Sequence, residues 1–436
     1  MGYLSWGAYP AHIQRADPVH WRGRLPDRLA ELRNRGAETL PYGNGRSYGD
    51  SCLAASDHVL AMRPLDRLIA ADWGRGVIRA EAGVTLDEIL RVCVPRGWFV
   101  PVTPGTKYVT LGGAVANDVH GKNHHARGTF GRHVRRFGLV RSAEGRCVCS
   151  PSENPALFQA TIGGLGLTGV IEWVEFGLVP IASSRIVGVV QRFGDLDEFF
   201  ALSDELDGSH EFCVSWIDCA GRAAGRGIYS AGDFATEGPL EYEAPPSRSM
   251  PWTPPFSLIN PVSLRAFNFA YWHASPLWRS ALQSGYEPFF YPLDAVRHWN
   301  RVYGRRGFQQ YQCLVPERDA RAGIAALLDA IAKSGTGSFL AVLKRCGDLD
   351  SPGLMSFPAA GTTLALDFPQ QDRLSSALFP RLDAIVREVG GRLYPAKDAH
   401  MSGDDFRRAY PQWERLEQLR DPTMMSRFWA RVTRHA

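Results

Sequence analysis

The sequence predicts an α+β protein in two lobes, one of them built on a large antiparallel sheet flanked by helices. Three observations lead there. The chain has 436 residues, more than one compact core usually holds and enough for two domains with a cleft between them. From Pro41 to Gly177, short strands and helices alternate with glycine turns. Beyond residue 300, three segments of strand period are interrupted by one helical segment.

In chain order, Ile78, Ala80 and Ala82 alternate with Arg79 and Glu81, which is the period of a half-buried strand. Thr85-Leu86-Asp87-Glu88 follows as a capping box, and the helix it opens should bury Leu86, Ile89, Leu90 and Cys93. The block "TIGGLGLTGVIEWVEFGL" leaves a glycine-rich loop as another strand, with Val170, Glu172, Val174, Phe176 and Leu178 alternating around Ile171, Trp173 and Glu175. From about residue 230 to 262 proline crowds the chain and periodicity disappears, so a long mobile loop is expected there. Then "GFQQYQCLVP", "GSFLAVLKRCG" and "GTTLALDFP" read as antiparallel strands, and "ERDARAGIAALLDAIAKSG" as a helix. Strand period puts Gln310 with Gln312 on one face, and Thr363 with Ala365 and Asp367 on another. No repeat or low-complexity tract interrupts this order.

Composition excludes several function classes. With 45% hydrophobic and 22% charged residues the chain is globular, not disordered. Its net charge of +4 is carried by arginines spread along the whole length, so no nucleic-acid surface is expected. The eight cysteines are scattered, and Cys147 and Cys149 stand too close for usual zinc spacing, which suggests reduced thiols. No secretory leader and no apolar run long enough to span a bilayer is found, so the expected location is cytoplasmic, at most peripheral to a membrane.

The densest chemistry lies in "TPGTKYVTLGGAVANDVHGKNHH", residues 103 to 125. His120 and His124 are four apart, the spacing of two metal ligands on a helix, but Gly121 sits between them and no carboxylate completes a ligand set. No metal is expected. A phosphate cradle explains more, because glycines let backbone N–H groups approach an anion, and "PYGNGRSYGD" at residues 41 to 50 offers a second such loop. Two anion loops suit a diphosphate. A Rossmann reading of Gly43-Asn44-Gly45 fails, since no helix with a buried face opens directly behind it.

Together "GNGRSYGD", "PVTPGTKYVTLGGAVANDVHGKNHH" and "GGLGLTGVI" resemble the FAD-binding half of the vanillyl-alcohol oxidase superfamily, whose FAD-binding domain is of PCMH type. Within it the chain is similar to the decaprenylphosphoryl-ribose oxidase branch. That similarity continues through "YPLDAVRHWNRVYGRRGFQQYQCLVP", "SFLAVLKRCG", "GTTLALDFP" and "GGRLYPAKDAH", covering most of the chain apart from the proline-rich stretch. The resemblance implies an FAD-binding domain over residues 1–183, a substrate domain over 184–390, and a segment 391–436 that returns to the FAD-binding domain. It implies FAD lined by Gly45, Arg46, Ser47, Tyr48, Gly105, Thr106, Val109, Gly112, Gly113, Ala116, Asn117, Gly121, Ile171 and Tyr394. Many relatives bond FAD through a histidine at the end of the R-S-x-G motif. Here Asp50 stands there, so non-covalent FAD is expected.

The same resemblance implies oxidation of a secondary sugar hydroxyl to a ketone. The expected substrate is the 2′-hydroxyl of a polyprenyl-phosphoryl pentose, and the step the first half of an epimerisation in cell-wall polysaccharide biosynthesis. A separate NAD(P)H-dependent reductase would complete it. Lys397 and His120 are the expected catalytic pair, and Lys122, Gln312, Lys344, Thr363 and Ala365 the expected substrate-binding residues. Lysine suits an anionic phosphodiester, and the lipid is expected under the loop carrying Trp252, Pro254, Pro255 and Phe256. Thr363 and Ala365 depart from the branch, which carries asparagine and cysteine there, so the sugar preference is open. An oxidase of a soluble sugar, alditol or aldonolactone remains the alternative, and a flavoprotein without catalysis a third.

Overall fold

The computed structural model describes residues 2–220, 225–242, 246–276 and 278–434. Local signals in the sequence start the elements of the first lobe. Thr85 accepts from the Glu88 N–H at 3.3 Å while the Glu88 carboxylate accepts from the Thr85 N–H at 2.7 Å, and helix Leu86–Cys93 follows with Leu86, Ile89, Leu90 and Cys93 buried. That helix covers an antiparallel five-stranded sheet in the order Leu68–Asp72, Val77–Glu81, Val170–Gly177, Val134–Arg141, Gly145–Cys149. A small parallel sheet of Arg15–Pro18, His58–Ala61 and Pro41–Tyr42 lies beside helix Leu25–Asn34.

The second lobe is an eight-stranded antiparallel sheet. Its order is Ser280–Gly285, Arg185–Phe193, Gly227–Phe234, Phe212–Ile217, Ala341–Cys346, Gly361–Pro369, Phe308–Pro316, Arg392–Leu393. Strand alternation decides what each face does. Tyr311, Cys313, Leu343, Leu364 and Leu366 point into an apolar core with Phe199, Ile324, Leu327, Ile331 and Leu382 from helices Leu196–Leu206, Ala320–Ser334 and Phe379–Glu388. The intervening residues Gln310, Gln312, Lys344, Thr363, Ala365 and Asp367 point the other way, into a cavity. Gln310 and Gln312 sit opposite Asp367 and Ala365 in the strand register, so the two polar stripes read from the sequence form one wall.

The proline-rich stretch is shorter than the expected 230–262. Gly227–Phe234 pairs with a strand on each side, and those ladders hold it in the sheet to Phe234. Asn260 caps helix Pro261–Ala274 at the other end, accepting from the Val262 and Ser263 N–H groups. Residues 243–245 of the stretch lie outside the described residues.

The final segment packs against the first lobe. Ser142 donates to Asp421 through both its N–H and its hydroxyl, and the Arg141 guanidinium donates to the Leu419 carbonyl. Helix Arg427–Thr433 carries Arg431, which donates to both oxygens of Asp50 at 3.0 and 2.8 Å and to Asp398 at 2.8 Å.

Candidate active site

Between the first lobe's glycine loops and the polar face of the eight-stranded sheet lies a cavity of about 780 Å³. Every residue expected above to line FAD, to catalyse or to bind the sugar phosphate lines it, whereas Trp252, Pro254, Pro255 and Phe256, expected over the lipid, do not. The loop at residues 43–48 is shaped by Gly45, whose φ is +59° and whose position leaves no room for a side chain, since a Cβ would lie 2.0 Å from the Tyr42 hydroxyl. Tyr42 donates to the Leu4 carbonyl at 2.6 Å, so it cannot easily move aside. Arg46 extends from this loop, with its guanidinium 4.0 Å from the Trp6 ring centroid and 5.3 Å from that of Tyr108.

The second loop is held from the far side of the cavity. Asp294 accepts from the Thr106 hydroxyl at 2.8 Å and from the Lys107 N–H at 2.9 Å, and Thr110 caps the short helix Leu111–Ala116. Gly121 is required by close approach, because a Cβ there would come within 2.6 Å of the Thr103 carbonyl. Tyr394 donates to the Asn117 carbonyl at 2.9 Å, tying the "YPAKDAH" segment to this loop.

These loops fit a dinucleotide's diphosphate. The backbone N–H groups of Asn44, Gly45, Arg46, Ser47, Gly105 and Thr106 find no acceptor among the described residues, and the Nε of Arg46 is buried without a partner. Consecutive free amides beside a cation form an anion nest. The cavity as a whole is lined by Arg46, Lys122, Lys344 and Lys397 against two carboxylates, Asp294 and Asp367. Among the described residues no group of three or more His, Cys, Asp or Glu is set to hold a metal ion.

The polar wall gathers the titratable groups. The side-chain amide of Gln312 lies 3.2 Å from His120 Nε2, and His120 Nδ1 is buried without a partner. Burial, then the charge of Lys344, holds the imidazole well below its usual pKa, so it is neutral. Lys344 is buried and donates to the Gly121 carbonyl, and burial lowers its pKa. Lys122 donates to the Phe289 carbonyl with its ammonium 4.4 Å from that ring's centroid, and burial together with Lys344 brings it down to about 7. An anion bound between these lysines would relieve their repulsion.

Lys397 faces the cavity over the ring of Tyr48, and its pKa is lowered by burial and partly restored by Asp367. Asp367 in turn is raised by burial, accepts from Gln310 at 2.6 Å, and keeps its second oxygen unpartnered. They influence each other's charge without forming an ion pair.

Sequence reasoning placed Asp367 on the face of Thr363 and Ala365 but gave it no role. Strand period was the signal available. Asp294 and Arg431, which hold the two loops, had no local signal, because their partners lie far away in the chain. Thr363 donates to the Lys344 carbonyl at 3.2 Å, so its hydroxyl proton is already used, and Ala365 adds no polar group.

Residues 24–150 match the family described as FAD binding domain. Over 415 residues the chain is 35% identical to decaprenylphosphoryl-β-D-ribose oxidase of Mycolicibacterium smegmatis, covering 92% of this chain and 89% of that protein. An uncharacterized protein of Streptomyces coelicolor is 32% identical over 77% of this chain and 95% of its own length. A putative D-arabinono-1,4-lactone oxidase of Neurospora crassa is 26% identical, over 42% of this chain and 34% of that protein.

Proposed function

The chain belongs to the family of FAD-linked oxidases that contains decaprenylphosphoryl-β-D-ribose oxidase, and from that premise we propose that it oxidises the 2′-hydroxyl of a polyprenyl-phosphoryl pentose. It is an FAD-dependent oxidoreductase acting on CH–OH groups. Gly45, Arg46 and Ser47 with Gly105 and Thr106 would hold the diphosphate of FAD, and Tyr394 and Asn117 would border its ring system. FAD, when bound, supplies the acceptor for the hydride of the carbinol carbon.

The chain's own residues handle the other half of the reaction. As the hydroxyl proton is drawn off, alkoxide character develops on the carbinol oxygen, and the buried Lys397 ammonium stabilises it while the hydride departs. The hydroxyl proton passes to His120. A weakly basic imidazole suffices because the proton becomes strongly acidic only as the carbon–hydrogen bond breaks. Gln312 fixes the ring's orientation. Lys122 and Lys344 bind the phosphodiester, and Thr363 and Ala365 border the sugar. Residues 1–183 serve as the FAD-binding unit, 184–390 as the substrate unit, and 391–436 as the segment that returns to the first after its strand Arg392–Leu393 completes the second lobe's sheet.

We take FAD to be held without a covalent bond. Asp50, at the position of the linking histidine, is occupied by Arg431, and burial pushes the Cys52 thiol up to about 12, which keeps it protonated. The product ketone then requires a separate NAD(P)H-dependent reductase to complete an epimerisation.

The observation that carries this reading is the convergence of His120 and Lys122 from the second loop with Lys344 and Lys397 on one cavity beside the anion loops. Anaerobic loss of the oxidised flavin absorbance, measured against lipid-linked and free sugars, tests it. Bleaching by polyprenyl-phosphoryl ribose or arabinose is expected. Bleaching only by a free sugar, alditol or aldonolactone would select the second reading, which the apolar Ala365 and the engaged hydroxyl of Thr363 favour.

A further inference from the structure

Exposed apolar side chains are concentrated in one stretch of the chain, from Trp252 to Trp278. Trp252, Phe256, Leu258, Val262, Phe269 and Trp278 are all exposed, several of them extremely so: Val262 at 78%, Phe269 at 60% and Trp278 at 79%. Large apolar groups gathered this way mark an interaction site. Helix Pro261–Ala274 buries only Leu264 and Asn268 of its fourteen residues, the latter anchored by donation to Asp218 at 2.7 Å. Its Val262, Ala266 and Phe269 form a stripe at helical spacing that faces solvent.

The other side of the same helix closes the cavity. Phe267 and Tyr271 line it, packing edge-on against Phe339 and Trp216 with ring centroids 5.3 and 5.0 Å apart. The exposed patch is therefore continuous with the cavity wall.

Charge distinguishes the patch further. From Pro246 to Tyr286 the chain contains no aspartate or glutamate, although 45 are distributed over the whole sequence. Arg248 and Arg265 lie within this stretch and Arg297 on the strand paired with Arg248–Ser249, and none of these three forms an ion pair among the described residues, whereas Arg279 beside Trp278 pairs with Glu205 at 2.7 Å. Arg301 is fixed beside them by donation to the Met250 carbonyl at 2.8 Å. Tryptophans and phenylalanines beside three unpaired arginines, on a segment without acids of its own, match the boundary of an anionic bilayer better than a protein surface.

We infer that the face formed by residues 246–276 and 278–286 lies on an anionic lipid bilayer and presents the cavity mouth to it. This deepens, and rests on, the lipid-linked reading of the substrate. No described helix is long and apolar enough to cross a membrane, so the contact is interfacial. Aromatic rings enter the headgroup layer, arginines meet the phosphates, and a polyprenyl chain reaches the cavity along helix Pro261–Ala274 without passing through water.

Flotation of the FAD-loaded protein with phosphatidylcholine vesicles, with and without phosphatidylglycerol, tests this. The protein should float with the anionic vesicles and be partly released by high salt, because the arginine contribution is screened. A Val262→Glu/Phe269→Glu variant, altered only at exposed positions, should bind them about tenfold more weakly or worse. Its FAD content and its flavin reduction by detergent-dispersed substrate should not change. Failure of the parent protein to float, or equal flotation of the variant, overturns the inference. So does a dimer in sedimentation velocity that the variant dissociates, which would make the patch a contact between copies. Flotation without flavin reduction by any lipid-linked pentose would instead remove the proposed substrate while leaving the membrane face; reduction without flotation would do the reverse.

Discussion

Lys397 holds its ammonium 3.7 Å from the centroid of the Tyr48 ring. The contact joins the "YPAKDAH" segment to the "RSYGD" loop, and the backbone repeats the link, since the Tyr48 N–H donates to the Ala396 carbonyl at 3.1 Å. The proposed cofactor loop and the proposed catalytic side chain are thereby positioned as one unit.

Replacement of Lys397 should therefore separate chemistry from binding. Lys397→Ala is expected to retain FAD and to slow anaerobic flavin reduction about a hundredfold or more, the scale of losing one electrostatic or acid–base group. Stopped-flow absorbance gives the rate. A rate near the parent's would remove Lys397 from the mechanism.

The neighbouring carboxylate should set the pH at which Lys397 works. Burial lowers the lysine's pKa and the charge of Asp367 raises it, so Asp367→Asn removes the raising influence. Lys397 then loses its proton at lower pH. If the ammonium form is the active one, the alkaline limb of the flavin-reduction profile should move to lower pH in Asp367→Asn. An unmoved limb would show that the two groups do not communicate in the loaded enzyme.

Much of this arrangement was legible in the sequence. Both glycine loops and the strands Phe308–Pro316, Ala341–Cys346 and Gly361–Pro369 announce themselves locally, through turn chemistry or period two, whereas His120 and Lys397 stand out only through the resemblance to the FAD-linked oxidases. The strands Arg185–Phe193, Phe212–Ile217, Gly227–Phe234 and Ser280–Gly285 were not read. Ser280–Gly285, with the sequence SALQSG, has no β-branched or aromatic residue and is a strand only because Arg185–Phe193 pairs with it. Long-range ion pairs were equally invisible: Arg431 is separated from Asp50 by 381 positions.

That pair carries its own expectation. Asp50 and Asp398 are both buried, and Arg431 is the cation they share, with His400 a second partner of Asp398 at 3.2 Å. Arg431→Ala leaves two buried carboxylates without it, which typically costs about 3–5 kcal/mol. Denaturant unfolding should show that loss, with weaker FAD retention because Asp50 ends the cofactor loop. A change of under about 1 kcal/mol, the usual value of an exposed pair, would mean the network is solvated.

Flavin attachment is checked more simply. Acid precipitation of the yellow protein should leave FAD in the supernatant, since Asp50 cannot form the histidyl bond and the Cys52 thiol is kept protonated. Colour that stays with the pellet would contradict non-covalent binding.

The position of the new carbonyl tests the central claim most directly. The FAD-loaded protein is mixed without oxygen with polyprenyl-phosphoryl ribose, and the product is trapped with borodeuteride. The account predicts that the flavin bleaches in proportion to the substrate added and that deuterium appears at carbon 2 of the pentose. Deuterium at another carbon, or a flavin that stays oxidised with this substrate and bleaches with a free sugar or lactone, would contradict it.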